Sequence, residues 1–221
     1  METKFSTQAI RIPAAGARLH GDLTLPDSAK GIVIFSHGSG SSRKSPRNRF
    51  VAAQLQENGM ATLLLDLLTE NEDAVYETRF DIGLLSRRLK EVVLWAMENV
   101  DTKGLPIGLF GASTGAASAL RVAADLREAV RAVVSRGGRP DLAGDALPQV
   151  TAPTLLLVGS LDFGVIELNQ AAFDQLTCIK KMQLVHGATH LFEEPGKLDE
   201  VAVLAARWFE EHLCRPPRST G

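Results

Sequence analysis

The sequence predicts an α/β fold: a single three-layer domain with a mostly parallel, roughly eight-stranded sheet, helices on both faces and no large cap. Three observations predict it. Short apolar runs of strand length alternate along the chain with amphipathic stretches of helix length, the pattern of strand-helix-strand units. Most of the runs are apolar throughout, as strands covered on both faces must be. The 221 residues, 45% of them hydrophobic, suffice for one domain with a substantial core.

In chain order, QAIRIPA and ARLHGDLTLP alternate apolar and polar positions and are expected to pair antiparallel near a sheet edge. GIVIFS, ATLLLD, PIGLFG, RAVVSR, PTLLLVG and MQLVHG follow as expected central parallel strands. Between them, SPRNRFVAAQLQENG, TRFDIGLLSRRLKEVVLWAMENV, STGAASALRVAADLREA, VIELNQAAFDQL and LDEVAVLAARWFEEHL repeat apolar residues every three or four positions and read as helices. No internal repeat, low-complexity linker or composition shift marks a second domain, so the domain is expected over 1–214. The remainder, 215–221, holds two prolines among small polar residues and is expected to be a disordered tail.

A formal net charge of -2 gives no bulk attraction to nucleic acid. The start, METKFSTQAIRIPAAG, has no apolar signal-peptide core, and no segment approaches the roughly 18 apolar residues of a spanning helix. An intracellular, cytoplasmic protein without a membrane partner is expected. Cys178 and Cys214 are too few for a disulfide framework and have no His or Cys at metal-finger spacing, so they read as incidental thiols. No metal or organic cofactor is implied, and the chain carries no signal for an oligomeric state.

Chemistry is expected at the C-terminal ends of the strands, where open parallel sheets hold their sites. In GLFGASTGAAS a strand runs through Gly111-Ala112-Ser113-Thr114-Gly115 straight into a helix, the context that gives a G-x-S-x-G match its meaning. Small residues two positions either side of Ser113 permit a tight turn that exposes the hydroxyl. A serine hydroxyl is a poor nucleophile and needs a base and a group to orient that base, here downstream in the order Ser, Asp, His. Asp162 follows the run PTLLLVG, and His190 lies beyond MQLVHG, so adjacent loops are expected to bring one ring nitrogen of His190 to Asp162 and the other toward Ser113. His186 sits at a strand terminus and is the weaker base; Asp141, Asp145 and Glu193 are weaker acids because none directly follows the penultimate strand. His20 and His212 belong to an edge strand and a surface helix.

These motifs, SHGSG, GASTG, GSLD and GATHLF in this order over nearly the whole chain, make the sequence resemble the α/β-hydrolase superfamily and, within it, the small cap-less branch of dienelactone hydrolases. The resemblance implies that Ser113 is the nucleophile, Asp162 the triad acid and His190 the base. It also implies that the backbone N–H groups of Ser39 and Thr114 form the oxyanion hole. Dienelactone hydrolases proper carry cysteine where this chain has Ser113. The implied activity is therefore a serine esterase on small-molecule carboxylic esters, with lactones and thioesters as related substrates.

Two other readings compete. FSHGSGSSRKS places Gly38, Lys44 and Ser45 in register with a phosphate-binding G-x-x-x-x-G-K-[ST] loop, but Arg43 occupies the second glycine position, where a positive φ is required. The strand-turn-helix PIGLFGASTG, with Arg136 beyond to accept a 2′-phosphate, suggests an NADP-type dinucleotide domain, yet the G-x-G-x-x-G pattern is missing. Neither accounts for Asp162 and His190; a third reading, a catalytically silent ligand-binding member of the hydrolase fold, is disfavoured by the intact Ser113, Asp162 and His190 set. Finally, Arg136-Gly-Gly-Arg139 and the segment holding Arg43, Lys44 and Arg47 leave the same sheet edge as Ser113. Arg136 foremost, with Arg43, is expected to hold an anionic group of the substrate, the alternative being solvated or paired side chains.

Overall fold

The structure, a computed structural model, describes residues 5–214; the tail expected over 215–221 lies outside the described residues. The alternating pair forms β1 (Phe5–Ala14) and β2 (Ala17–Pro26), a hairpin. The central runs become β3 (Ile32–Ser36), β4 (Ala61–Leu65), β5 (Ile107–Ala112), β6 (Val130–Arg136), β7 (Thr154–Gly159) and β8 (Lys180–Val185). They make one eight-stranded sheet in the order β1-β2-β4-β3-β5-β6-β7-β8. β2 joins β4 antiparallel, and every pairing from β4 through β8 is parallel.

β3, β4, β5 and β7 are buried along their whole lengths, as all-apolar sequences demand. β8 departs from the expectation of a central strand. It is the far edge, and Lys181 and Leu184 are exposed.

The helices are α1 (Pro46–Glu57), the single turn α2 (Glu70–Asp73), α3 (Ile82–Glu98), α4 (Gly115–Leu126), α5 (Phe163–Gln175) and α6 (Lys197–Leu213). Because successive strand residues point to opposite faces, the sheet divides the apolar residues into two cores. Ile34, Leu63, Leu109, Val133 and Leu156 meet α3 and α4 on one side. Val33, Phe35, Phe110, Val134 and Leu157 meet α1 and α6 on the other. Two pieces of local structure were not expected: α2 with the 3-10 turn Glu77–Phe80, and the 3-10 segment Pro140–Gln149. Among the described residues no helix is long and apolar enough to cross a membrane.

Candidate active site

The turn after β5 is a constrained point of the backbone. Ser113 has φ of 50°, a left-handed conformation that costs a non-glycine residue on the order of 1–3 kcal/mol. Three backbone hydrogen bonds hold it there. Its N–H donates to Arg136 O at 3.3 Å, and its carbonyl accepts from Arg139 N at 3.0 Å and Ala116 N at 3.1 Å. The flanking glycines are sterically required: a Cβ on Gly111 would lie 2.4 Å from Ala116 Cα, and one on Gly115 would lie 2.1 Å from Ser36 O. The Ser36 and Ser118 hydroxyls, 2.7 Å apart, tie the end of β3 to α4.

Asp162 and His190 arrive from the next two strands. His190 Nδ1 lies 2.6 Å from Asp162 Oδ2. Their loops are stitched together by Ser160 Oγ accepting from Gly187 N at 2.8 Å and by Leu161 N donating to Ala188 O at 3.0 Å. Glu194 braces the His190 loop by accepting from both the amide and the hydroxyl of Thr189. The His190 ring passes beside Gly137, where a Cβ would stand 3.7 Å from Cε1, so it sits next to the strand end that anchors the Ser113 amide. No hydrogen bond joins Ser113 and His190 among the described residues; in substrate-free sites this contact is often long and closes when substrate binds.

The loop after β3 lies over Ser113 closely enough that a Cβ on Gly38 would come 2.9 Å from Ser113 Cβ. His37 fixes this loop. Its Nε2 accepts from the Leu67 amide at 2.9 Å, so the ring proton is on Nδ1, which donates to Gly38 O at 2.9 Å. Burial pushes the His37 pKa down and keeps the ring neutral. The Ser39 amide is not free: it donates to Thr114 Oγ1 at 2.9 Å. On the far side, Leu68, Asp73, Arg79 and Leu85 close the recess against the loop.

The basic side chains separate into two kinds. Arg43 is engaged by carboxylates of the protein, where the sequence suggested that it holds an anionic group of the substrate. Its guanidinium pairs with Asp66 and, at 3.5 Å, with Asp22, and its amide donates to Asp66 Oδ1 at 2.7 Å. Two nearby carboxylates are stronger partners than a transient ligand. Arg139 makes a two-pronged pair with Asp141 at 2.9 and 2.8 Å, which commits that rival acid, and Arg47 meets Glu193 at 2.7 Å in an exposed pair. Asp145 and His186 are exposed. Arg136, 7% exposed, points to the α1 side of the sheet and, among the described residues, reaches only Asn48 Oδ1, at 3.4 Å.

Sequence reasoning missed the Thr114–Ser39 bond and the α2 strut, in which buried Arg88 clasps Glu72 through two bonds of 2.6 Å and donates to Leu67 O. The cue for the strut was Thr69 three residues before Glu72, a helix-capping pattern that the structure realises. Among the described residues no group of three or more His, Cys, Asp or Glu side chains is placed to hold a metal ion. Neither cysteine is in a disulfide.

Relatives share both the frame and the sequence. A solved dienelactone hydrolase from Anabaena variabilis is 51% identical and superposes with a TM-score of 0.93, over 96% of this chain and 100% of that one. Carboxyl esterase 2 from Tuber melanosporum shares the fold, with a TM-score of 0.75 at 16% identity over 96% of this chain and 89% of that one. Two curated Mycobacterium tuberculosis proteins, named as phosphoribosyl transferases, are each 54% identical over 209 residues, which is 95% of this chain but 47% of their length. The chain thus spans about half the length of the curated relatives it matches. The model of the dienelactone hydrolase family matches residues 19–213, from the second strand through the last helix and across Ser113, Asp162 and His190; with that match and the Anabaena likeness, this chain belongs to the dienelactone hydrolase family.

Proposed function

We propose that the protein is a serine hydrolase of small carboxylic esters that works through an acyl-enzyme. The observation that carries this reading is the 2.6 Å Asp162–His190 contact beside a serine held at positive φ on a strand-to-helix turn. With Nδ1 engaged by Asp162, His190 has Nε2 left to take the Ser113 proton as Oγ attacks the ester carbonyl. The alcohol leaves with that proton, and water repeats the sequence on the acyl-enzyme. The amides of Ser39 and Thr114 would hold the tetrahedral oxyanion, each worth about 3 kcal/mol in comparable sites. For Ser39 this requires that the oxyanion displace Thr114 Oγ1 as the acceptor.

Family membership and the esterase neighbour favour hydrolysis over the dinucleotide and phosphate-loop readings. The transferase name belongs to proteins about twice as long, and no residue of this site requires ribosyl transfer. Lactones and thioesters remain within reach of the same acyl chemistry.

A fluorophosphonate probe should label Ser113 in the wild type and leave Ser113→Ala unmodified. A panel of p-nitrophenyl esters, thioesters and lactones should be turned over by the wild type alone. Unlabelled wild-type protein, or turnover retained in Ser113→Ala, would overturn the assignment.

A further inference from the structure

Among the described residues Arg136 is a buried cation without a counterion. Its side chain is 7% exposed, Nε and Nη1 have no hydrogen-bond partner, and Nη2 meets only the neutral Asn48 amide oxygen at 3.4 Å. Burying a guanidinium without an anion is costly, and such a group is kept where something else supplies the charge. Burial and the nearby charge of Arg47 bring its pKa down to about 10, a sign that the surroundings are uncompensated.

The place is equally specific. Asn48 lies in the first turn of α1, whose cap is Ser45 and whose first residue is Pro46, so the positive end of a twelve-residue helix meets the guanidinium. Arg47, in the same turn, also has an Nε without a partner; its Nη1 holds Glu193 in an exposed pair that is weak and easily opened. The backbone of Arg136, by contrast, adjoins the candidate site. Its carbonyl accepts from the Ser113 amide, and its neighbour Gly137 abuts His190.

We propose that Arg136, Arg47 and the first turn of α1 form a subsite for the phosphoryl group of a substrate that carries both an ester and a phosphate monoester. At this place three guanidinium nitrogens, Arg136 Nε and Nη1 and Arg47 Nε, have no hydrogen-bond partner among the described residues. Together they offer several N–H donors to a multiply charged oxyanion, and a phosphate monoester presents three terminal oxygens to accept them. A dianion also matches two arginines at a helix N-terminus better than a single charge does. The ester half of this substrate rests on the serine-hydrolase reading; the anion half does not.

The test separates the two. Binding of inorganic phosphate is measured by calorimetry and by the shift in melting temperature, with acetate and chloride at equal ionic strength as comparisons. Competition by phosphate against hydrolysis of neutral p-nitrophenyl butyrate is followed in parallel. Phosphate should bind the wild type and Ser113→Ala alike, raise the melting temperature more than acetate or chloride, and compete with the ester. Arg136→Met should weaken phosphate at least tenfold, and Arg47→Gln about threefold. Circular dichroism and fluorophosphonate labelling report whether Arg136→Met has folded; if it has not, the Arg47→Gln affinity decides. Absence of phosphate binding in the wild type, undiminished binding in folded Arg136→Met or in Arg47→Gln, or acetate binding as tightly as phosphate would each overturn the subsite. Phosphate binding without ester turnover would leave the subsite standing and remove the hydrolase reading instead.

Discussion

Ser39 donates its amide hydrogen to the Thr114 hydroxyl oxygen at 2.9 Å, so the two residues expected to supply the oxyanion hole are bonded to each other. An arriving oxyanion has to replace one neutral acceptor with a charged one. Since the charge-assisted bond is the stronger, the exchange is downhill. Thr114→Val removes the competing acceptor, whose net worth is about 1 kcal/mol. The expected result is a kcat within about fivefold of wild type. Were the Thr114 hydroxyl itself a donor to the oxyanion, the same variant would lose at least about a hundredfold, as removal of such donors does. Steady-state kinetics on one neutral ester distinguish the two, and Thr114→Ser should behave as wild type in either case.

Asp162 is set apart from the other acids of this region by its partner. It faces His190 Nδ1, whereas Asp141 is taken by Arg139 and Glu193 by Arg47. Asp162→Asn keeps the shape but favours the wrong ring tautomer, so kcat should fall by about 10⁴. Asp141→Asn and Glu193→Gln should each stay within about tenfold of wild type, because neither touches the reacting groups. A large loss in either, with Asp162→Asn near normal, would name a different acid.

The eight strands and most helices were legible because the layer architecture writes itself into hydrophobic period: runs apolar on both faces for β3 to β7, spacings of three and four for α1 and α3 to α6. The sites of Ser113, Asp162 and His190 were legible because each follows a strand directly, which fixes its position to within a few residues. β8 misled because Met182 and Val185 give it an apolar look, although chain order alone cannot say which strand ends a sheet. Arg43 misled for a related reason. Its partner Asp66 is 23 residues away and comes near only when β3 and β4 pair in parallel register. The Ser39–Thr114 bond spans 75 residues and has no periodic or motif trace at all.

His37 should make the positioning of the Gly38–Ser39 loop pH-sensitive. The folded ring is held below its ordinary 6.5 by burial and gives Nε2 as an acceptor to Leu67. As pH falls through 6.5 the unfolded chain takes up a proton that the folded chain resists, so stability is lost progressively below that point and is fully present above it. His37→Gln keeps an acceptor for the Leu67 amide and gives up the donor to Gly38. It should cost about 1–2 kcal/mol at pH 8 and flatten the fall in melting temperature between pH 6.5 and 5. A wild-type slope that survives unchanged in His37→Gln would assign the pH sensitivity to other groups.

The Arg88–Glu72 clasp gives the last expectation, and its pH window lies lower. Arg88 is 2% exposed at its side chain while Glu72 is 33% exposed, so one charge is buried and the other stands at the rim. Hydrogen bonds from Arg88, against the opposing effect of burial, hold Glu72 down at about 2 from its ordinary 4.5. A carboxylate with a lowered folded pKa contributes stability that is complete above about 4.5 and drains away as pH falls toward 2. Glu72→Gln keeps the capping geometry but leaves Arg88 buried without a counter-charge. Removing one partner of a fully buried pair costs about 3–5 kcal/mol; the exposure of Glu72 to solvent screens this to about 2 kcal/mol. Denaturant unfolding should therefore show a deficit of that size at pH 7 that shrinks as pH falls from 4.5 toward 2, since the wild type then loses the same contribution. Because the clasp seats α2 and the 3-10 turn Glu77–Phe80 beside Ser39 and Gly40, the variant should also raise KM for the ester with little change in kcat. A deficit that stayed constant down to pH 2 would mean that the clasp acts through packing and not through charge.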